Sequence, residues 1–493
     1  MFVFQILFSI FAAKVANMEI KEILSSTNSI DYKINALRKR TVHVPLWSTL
    51  LELYEPSNHE VINDTLSLKD KDNGEKSARI SIGLEKLLTN RVNQFTFAIP
   101  VKREYNTPSN ETQSAIITSI ENIYDNAHID NINFKRGLAY YAACEMFTIW
   151  YTIKRENTLY GFPCKYKLKC KVFSPMDGVR MYPIIDEYDD MIAMSFEYEK
   201  KLSYTQTIVF FETFTADRHY VWKKESQGNV WEETTAQVMD DGTIESGEEI
   251  IINKIPGVYL SRPYPVYAGL GNIRHELEYN LSRNSNVIAY NAAPIVKVEG
   301  GIEGSEKKGE SNRIWRVERG GDISYVSWNQ SQEAVNNQTD TLLKLYWMLS
   351  QMPDISFDNM KCLGNIGYDA RQTMLTDARL KINEEAGAWK ECFEREFNVI
   401  KAFLKQMNLS WSEEIDNITC KHTITPYVPQ DENNDITVRM KANGGMPVES
   451  QLESIVKLGK SKDPKGTIEQ IRKEQAANAL AQQVAFNLSE QTL

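Results

Sequence analysis

From Asp369 to about Met407 the chain repeats apolar residues at helical spacing. Trp389, Phe393, Phe397, Ile400, Leu404 and Met407 share one face, and Lys390, Glu391, Glu394, Lys401 and Lys405 share the other. That period predicts one amphipathic helix with a reach on the order of 60 Å. Gly387 lies inside it, costs roughly 1 kcal/mol relative to Ala, and marks a place for a bend. So long a helix needs an apolar surface along much of its length. The 493 residues leave room for that, and for more than one structural unit, because a single core rarely outgrows about 250–300 residues.

The rest of the chain changes period twice. Residues 18–40, 78–97 and 133–153 read as helices. In the second, Ile80, Leu84, Leu87, Leu88 and Val92 line one face; in the third, Ala139, Ala142, Ala143, Met146 and Ile149 do so. Short β-branched and aromatic segments follow near 166–173, 180–185, 191–200, 205–214 and 218–225, with turn residues between them, the pattern of an antiparallel meander. IINKI, residues 251–255, reads as a further strand. From Gly269 the helical period returns, with Leu270, Ile273, Leu277, Leu281 and Ile288 on one side and His275, Glu276, Glu278 and Arg283 turned elsewhere.

Next comes a strand at 293–301, closed by glycines, then a pair at 313–317 and 324–328 joined around Gly320-Gly321. A helix from about Gln332 to Ser350 is stopped by Pro353. Beyond the long helix, a strand is expected at 420–425, an acidic loop at 431–435, and helices over 448–458 and 467–487. Nothing repeats at a period of 20–50 residues, and no linker cuts the chain cleanly. The class is α+β.

Composition is that of an ordinary folded protein, 42% hydrophobic and 25% charged. The net charge is −10, whereas a protein that grips nucleic acid through many phosphates is basic or carries a basic face. Six cysteines, Cys144, Cys164, Cys170, Cys362, Cys392 and Cys420, show no C-x-x-C spacing and read as free thiols of a reducing compartment. Residues 1–17 open on an apolar run without a preceding Lys or Arg and are expected to be an added leader or a misassigned start ahead of Met18. No later stretch reaches about 18 apolar residues, so no membrane helix is expected.

The chemistry-bearing motifs are missing. There is no GxxxxGK[ST], GxGxxG, HExxH or GxSxG. The histidines at 43, 59, 128, 219, 275 and 422 do not stand at metal-ligand spacing. IIDEYDDM places Asp186, Glu187, Asp189 and Asp190 together, and such a cluster between strands reads as a solvated turn. Neither an enzyme nor a cofactor is expected.

One order stands out: helix, small β insert, helix, Pro-stopped loop, very long helix. Three segments carry it. They are PVYAGLGNIRHELEYNLSRNSNVIAYNAAPIVKVEGG (Pro265–Gly301), LYWMLSQMPDISFDNMKCLGNIGYDARQTMLTDARLKINE (Leu345–Glu384), and Gly444-Gly-Met-Pro-Val448-Glu-Ser before a helix. In these residues the chain resembles the siphophage-type portal proteins of tailed bacteriophages. The family's common Ser-Gly before the long helix stands here as Ile366-Gly367-Tyr368.

The resemblance implies a wing (18–264), a first stem helix (265–291), a clip (292–330), a second stem helix (331–350), a tunnel loop (351–368), a long kinked helix with wing return (369–440) and a crown (441–493). It implies a closed ring, usually of twelve copies, at one capsid vertex of the virion, assembled in the host cytoplasm. Double-stranded DNA would pass along its axis. Terminase, a head–tail adaptor, and major capsid and scaffold proteins would be its partners, with no membrane involved. Asp354, Phe357, Asp358, Asn359, Lys361 and Asn365 would then face DNA, and Lys297, Arg313, Trp315, Arg316 and Trp328 would serve partner docking. The competing reading is a secreted or surface protein that binds carbohydrate or protein through its β-rich middle. A carboxylate hydrolase built on IIDEYDDM is a third; it leaves the helix–insert–helix order unexplained.

Overall fold

A computed structural model describes residues 20–490 except 26, 40, 71–75, 202, 204–205, 227, 229, 239–243, 292–294, 300–301, 305–315, 318–321, 327–331, 355–372, 428–431, 445–446, 460 and 462. It is an α+β protein in two compact units. One runs to Asp354 and resumes over Asp377–Tyr427, and the other joins Ile355–Thr376 to Val428–Leu493.

The first unit begins with helices α1 (Ile30–Leu37), α2 (Trp47–Tyr54), α3 (Leu84–Phe97), α4 (Glu111–Asn126) and α5 (Ile129–Ala143), with strand β1 (Lys102–Tyr105) after α3. Then come β2 (Glu145–Asn157), β3 (Cys164–Phe173), β4 (Arg180–Ile185), β5 (Met191–Lys201), β6 (Thr207–Thr215) and β7 (Arg218–Glu225). Short strands β8 (Glu232–Glu233), β9 (Gln237–Val238), β10 (Ile244–Glu245) and β11 (Glu248–Glu249) lead to β12 (Gly257–Ser261).

The expected meander is present. Strands β4 to β7 pair antiparallel in sequence order, with β11 beyond β7. Both faces of this sheet are covered, so its strands are apolar at neighbouring positions rather than strictly alternating. Ala193, Val209, Phe211, Tyr220 and Trp222 face one core with Ile34 and Leu37 of α1, while Met194, Phe196 and Phe214 face the main core.

The helix expected over 133–153 is a helix and a strand. α5 stops at Ala143, Cys144 turns with φ 65°, and β2 follows. The run Phe147-Thr-Ile-Trp-Tyr-Thr-Ile153 suits a pleated surface, and it gains ladder partners on both sides, β12 and β3. Close approach of β12 requires Gly257, where a Cβ would stand 2.4 Å from Phe147 Cζ. IINKI is a turn, with Asn253 at φ 50°; Ile252 and Ile255 are buried in the main core while Ile251 is exposed, and the strand comes at β12. Helix α4, absent from the sequence reading, starts where the Asn110 side chain accepts the Gln113 N–H.

Three helices complete this unit: α6 (Gly271–Asn291), α7 (Gln332–Ser350) and α8 (Thr376–Met407), followed by β17 (Cys420–Thr423), which pairs with β1. The apolar stripe of α8 is buried as expected from Trp389 to Leu404. Trp389 sits edge-on to Phe97 at 4.9 Å and to Tyr140 at 5.1 Å. Glu396 is buried on the same helix. It accepts both guanidinium ends of Arg136, at 2.9 and 3.1 Å, and the Trp150 indole N–H at 2.9 Å. Such a pair is bidentate and specific in geometry.

In the second unit, residues 432–435, expected as an acidic loop, open helix α9 (Glu432–Asn443). Helix α10 (Gln451–Leu458) starts three residues later than expected, because Ser450 and Glu453 form a capping box. Helix α11 runs Pro464–Glu490.

Candidate functional site at the roots of the helix pair

Between α6 and α7 lie four strands, β13 (Ile295–Glu299), β14 (Ile302–Gly304), β15 (Arg316–Val317) and β16 (Asp322–Val326). They nest. β13 pairs with β16, and β14 with β15. The hairpin expected across Gly320-Gly321 is therefore replaced, since β16 gains five cross-strand positions from β13 and only two from a strand as short as β15. The outer pair draws the end of α6 and the start of α7 together, so the two helices run antiparallel, each about 30 Å long.

The root of α6 is built from polar residues. Segment 78–82, expected as the first turn of a helix, is extended and lies along α6. Its alternate backbone N–H groups are taken by side chains one helical turn apart. The Ala78 N–H donates to Asn286 Oδ1 (2.6 Å), that of Ile80 to Ser282 Oγ (2.9 Å), and that of Ile82 to Glu278 Oε1 (2.7 Å). The match is metric: four helical residues advance about 6 Å, and two extended residues about 6.6 Å. Helix α3 then starts after Gly83.

Glu278, which the sequence pattern turned away from the core, is wholly buried, as are Glu85 and Arg274 nearly so. Arg274 Nη1 donates to Glu278 Oε2 at 2.5 Å and Nε to Glu85 Oε1 at 2.7 Å. His59 is buried between the Leu53 carbonyl, 3.0 Å from Nε2, and Glu278 Oε1, 2.6 Å from Nδ1. Both partners accept, so the site is satisfied when the ring donates from both nitrogens. Burial pushes the Glu85 carboxyl up, and the Arg274 guanidinium pulls it the other way.

The C-terminal root of α7 is built differently. Gln351 takes a left-handed turn, φ 57°, and Pro353 follows it. Two cations hold this exit. Arg91 of α3 donates to the Pro353 carbonyl (3.1 Å), lies over the Trp347 ring (4.1 Å) and stands 3.8 Å from Asp354. Lys381 of α8 donates to the Ser350 carbonyl (2.7 Å). Burial, and then the Arg262 charge, push the Lys381 ammonium down to about 8.

Of the residues expected along the DNA path, Asp354 is thus placed at the α7 exit, half-buried beside Arg91. Phe357, Asp358, Asn359, Lys361 and Asn365 lie outside the described residues. Among the docking residues, Lys297 stands in β13 opposite Ser324 and Arg316 in β15 opposite Gly304; Arg313, Trp315 and Trp328 lie outside the described residues. The residues the sequence reading missed are His59, Glu85, Arg274 and Ser282. The only signal for them was the i, i+4, i+8 spacing of Arg274, Glu278 and Ser282, which reads equally well as a solvated face.

IIDEYDDM is the turn between β4 and β5, where Asp186 Oδ1 accepts the N–H groups of Tyr188 and Asp190, both at 2.9 Å. Among the described residues no group of His, Cys, Asp or Glu is arranged to hold a metal ion, and no helix is long and apolar enough to cross a membrane. Five cysteines described are free. Burial pushes the Cys144 and Cys392 thiols up to about 12, far from thiolate chemistry at neutral pH.

A helix pair closed by a nested β ribbon and followed by one long helix with a buried stripe is the framework of this unit. Comparison with known proteins names it. The chain belongs to the phage portal protein family of SPP1 Gp6-like proteins, whose model matches residues 38–480. That family is structural, which decides against the hydrolase and against the secreted binding protein.

No curated protein matches the chain. Among solved structures, the chain is similar to one from the neck of an empty gene transfer agent particle computed with C6 symmetry, at TM-score 0.42 and 9% identity, covering 84% of this chain and 94% of that one. Another is from the virion of a native gene transfer agent particle, at TM-score 0.38 and 10% identity, covering 84% and 93%.

Proposed function

We propose that this chain is a portal subunit that closes into a ring of about twelve copies at one vertex of a phage capsid. Double-stranded DNA passes along the axis during packaging and ejection. The observation that carries the reading is the family match over residues 38–480. The divisions follow the family plan: wing 18–264, stem helices 265–291 and 331–350, clip 292–330, tunnel loop 351–368, long helix and wing return 369–440, crown 441–493.

In this reading α6 and α7 are the stem, and their ribbon is the clip. The clip meets terminase first and the head–tail adaptor later, through Lys297, Arg313, Trp315, Arg316 and Trp328. The loop after α7 offers Asp354, Phe357, Asp358, Asn359, Lys361 and Asn365 to the passing duplex. Lys361 touches phosphates transiently, and the carboxylates limit adhesion. The ring assembles in the host cytoplasm with scaffold and major capsid proteins, and the polar network under α6 keeps the stem at a fixed angle while DNA moves.

Light scattering and negative-stain microscopy of the purified full chain test this. The expected outcome is a ring with a central hole and a mass of about twelve times 56.6 kDa. A species that stays monomeric even with capsid and scaffold proteins present overturns the proposal.

A further inference from the structure

The chain carries 66 acidic against 56 basic residues, yet one strand sets four lysines in a row. In β3 the sequence KYKLKCK sets Lys165, Lys167, Lys169 and Lys171 at every second position. Alternate residues of a strand project from the same face, so the four form one row. The residues between them serve the other face, where Leu168 is buried and Cys170 packs against the main core. Across the hairpin, Lys167, Lys169 and Lys171 stand opposite Ile153, Tyr151 and Ile149, and Lys165 falls across from the bulge that holds Arg155 and Glu156.

Lys165, Lys169 and Lys171 are exposed and Lys167 is half-exposed. Lys171 lies 4.4 Å from the Phe173 ring centroid, and none of the four makes an ion pair among the described residues. At the end of β2, Lys154 and Arg155 are exposed beside a single carboxylate, Glu156. β3 is an edge strand, paired on one side only among the described residues.

We infer that this lysine row is a docking surface for the phosphate backbone of double-stranded DNA, separate from the loop after α7. Two residues of an antiparallel strand advance about 6.8 Å, so the row presents one unpaired ammonium for roughly every two nucleotides of one DNA strand, at 3.4 Å rise each. Lysine is the residue of backbone neutralisation without base reading, whereas protein interfaces are depleted in it. The inference takes its partner from the portal reading and adds a second place where the ring holds DNA.

The test uses the full chain and a fluorescein-labelled duplex of thirty base pairs, with anisotropy read from 50 to 200 mM NaCl. Four phosphate contacts weaken binding by roughly 100-fold over that range, a slope of about −3.6. K165Q/K167Q/K169Q/K171Q is expected to lose most of that slope and to bind at least about tenfold more weakly at 50 mM, with ring mass unchanged. Equal binding overturns the inference and leaves the lysines as guards of a sheet edge. Loss of the ring with DNA binding kept also overturns it and makes the row a contact between subunits. Circular dichroism checks folding, and K165E/K169E, at two exposed positions, repeats the test should the fourfold variant fail to fold. A wild-type chain that forms no ring counts against the portal reading, while its anisotropy curve still scores the row.

Discussion

The two roots of the helix pair solve the same mechanical problem with different chemistry. At the start of α6, Glu278 collects three donors, from His59, Arg274 and the Ile82 backbone. Glu278, Arg274, Glu85 and His59 are all buried there and joined by hydrogen bonds. At the end of α7, two long side chains reach from other helices to main-chain carbonyls, and one of them, Lys381, sits near 8. The first root is interlocked, so no member leaves without stranding the rest. The second is a pair of separable ties, each removable alone, at the point where the chain enters the loop proposed to meet DNA. In the proposed portal reading, an interlocked root and a releasable exit suit helices that stay put while the loop beyond them adjusts.

Removing the centre of the first root tests that difference most harshly. Glu278→Ala leaves His59 and the Ile82 N–H without their carboxylate and Arg274 with Glu85 alone, and breaking a buried pair by deleting one partner costs about 3–5 kcal/mol. Urea unfolding is expected to show a loss of that size. A loss below about 1 kcal/mol means that water reaches the site and that the two roots do not differ in kind.

Much of this fold was readable beforehand, and the failures share a cause. The α8 stripe, the strands 180–185 and 218–225 and the helix Gln332–Ser350 follow from period and turn residues alone. The helical start at Ile80 failed because side chains of α6 offered its backbone donors a better geometry, a tertiary effect with no local trace. The helix predicted to reach Ile153 failed because Met146 and Ile149 happen to continue the alanine spacing of α5, while β2 gained partners far along the chain. Glu278 failed because a charged residue is assigned to solvent unless its partners are known, and His59 lies 219 residues away.

Lys381 gives the next test, through pH. Its pKa in the folded protein, about 8, lies below its ordinary 10.5. The unfolded chain therefore binds the extra proton between those values, and stability contributed by this group rises as pH rises from 8 to 10.5. Comparing urea midpoints of wild type and Lys381→Met at pH 7.5 and pH 10, wild type is expected to gain on the variant at the higher pH. At pH 7.5 the variant should lose on the order of 1 kcal/mol from the missing bond to the Ser350 carbonyl. Parallel shifts of both proteins would give Lys381 an ordinary pKa and remove the titratable tie.

Gln351 sharpens the contrast at its smallest scale. The residue holds φ at 57°, a conformation that costs a side-chain-bearing residue roughly 1–2 kcal/mol, and it does so at the position after a helix where glycine is the common choice. Glycine relieves that cost but adds chain entropy to the unfolded state, about 0.5–1 kcal/mol. The net expectation for Gln351→Gly is a gain of up to about 1 kcal/mol in urea unfolding. If the exit is held by Arg91 and Lys381, as the distances to Pro353 and Ser350 indicate, that gain should persist in Lys381→Met, because turn and tie then act independently. A double variant that loses the gain would mean that the lysine fixes the turn itself, so that one bond sets both the end of α7 and the direction in which the chain leaves it.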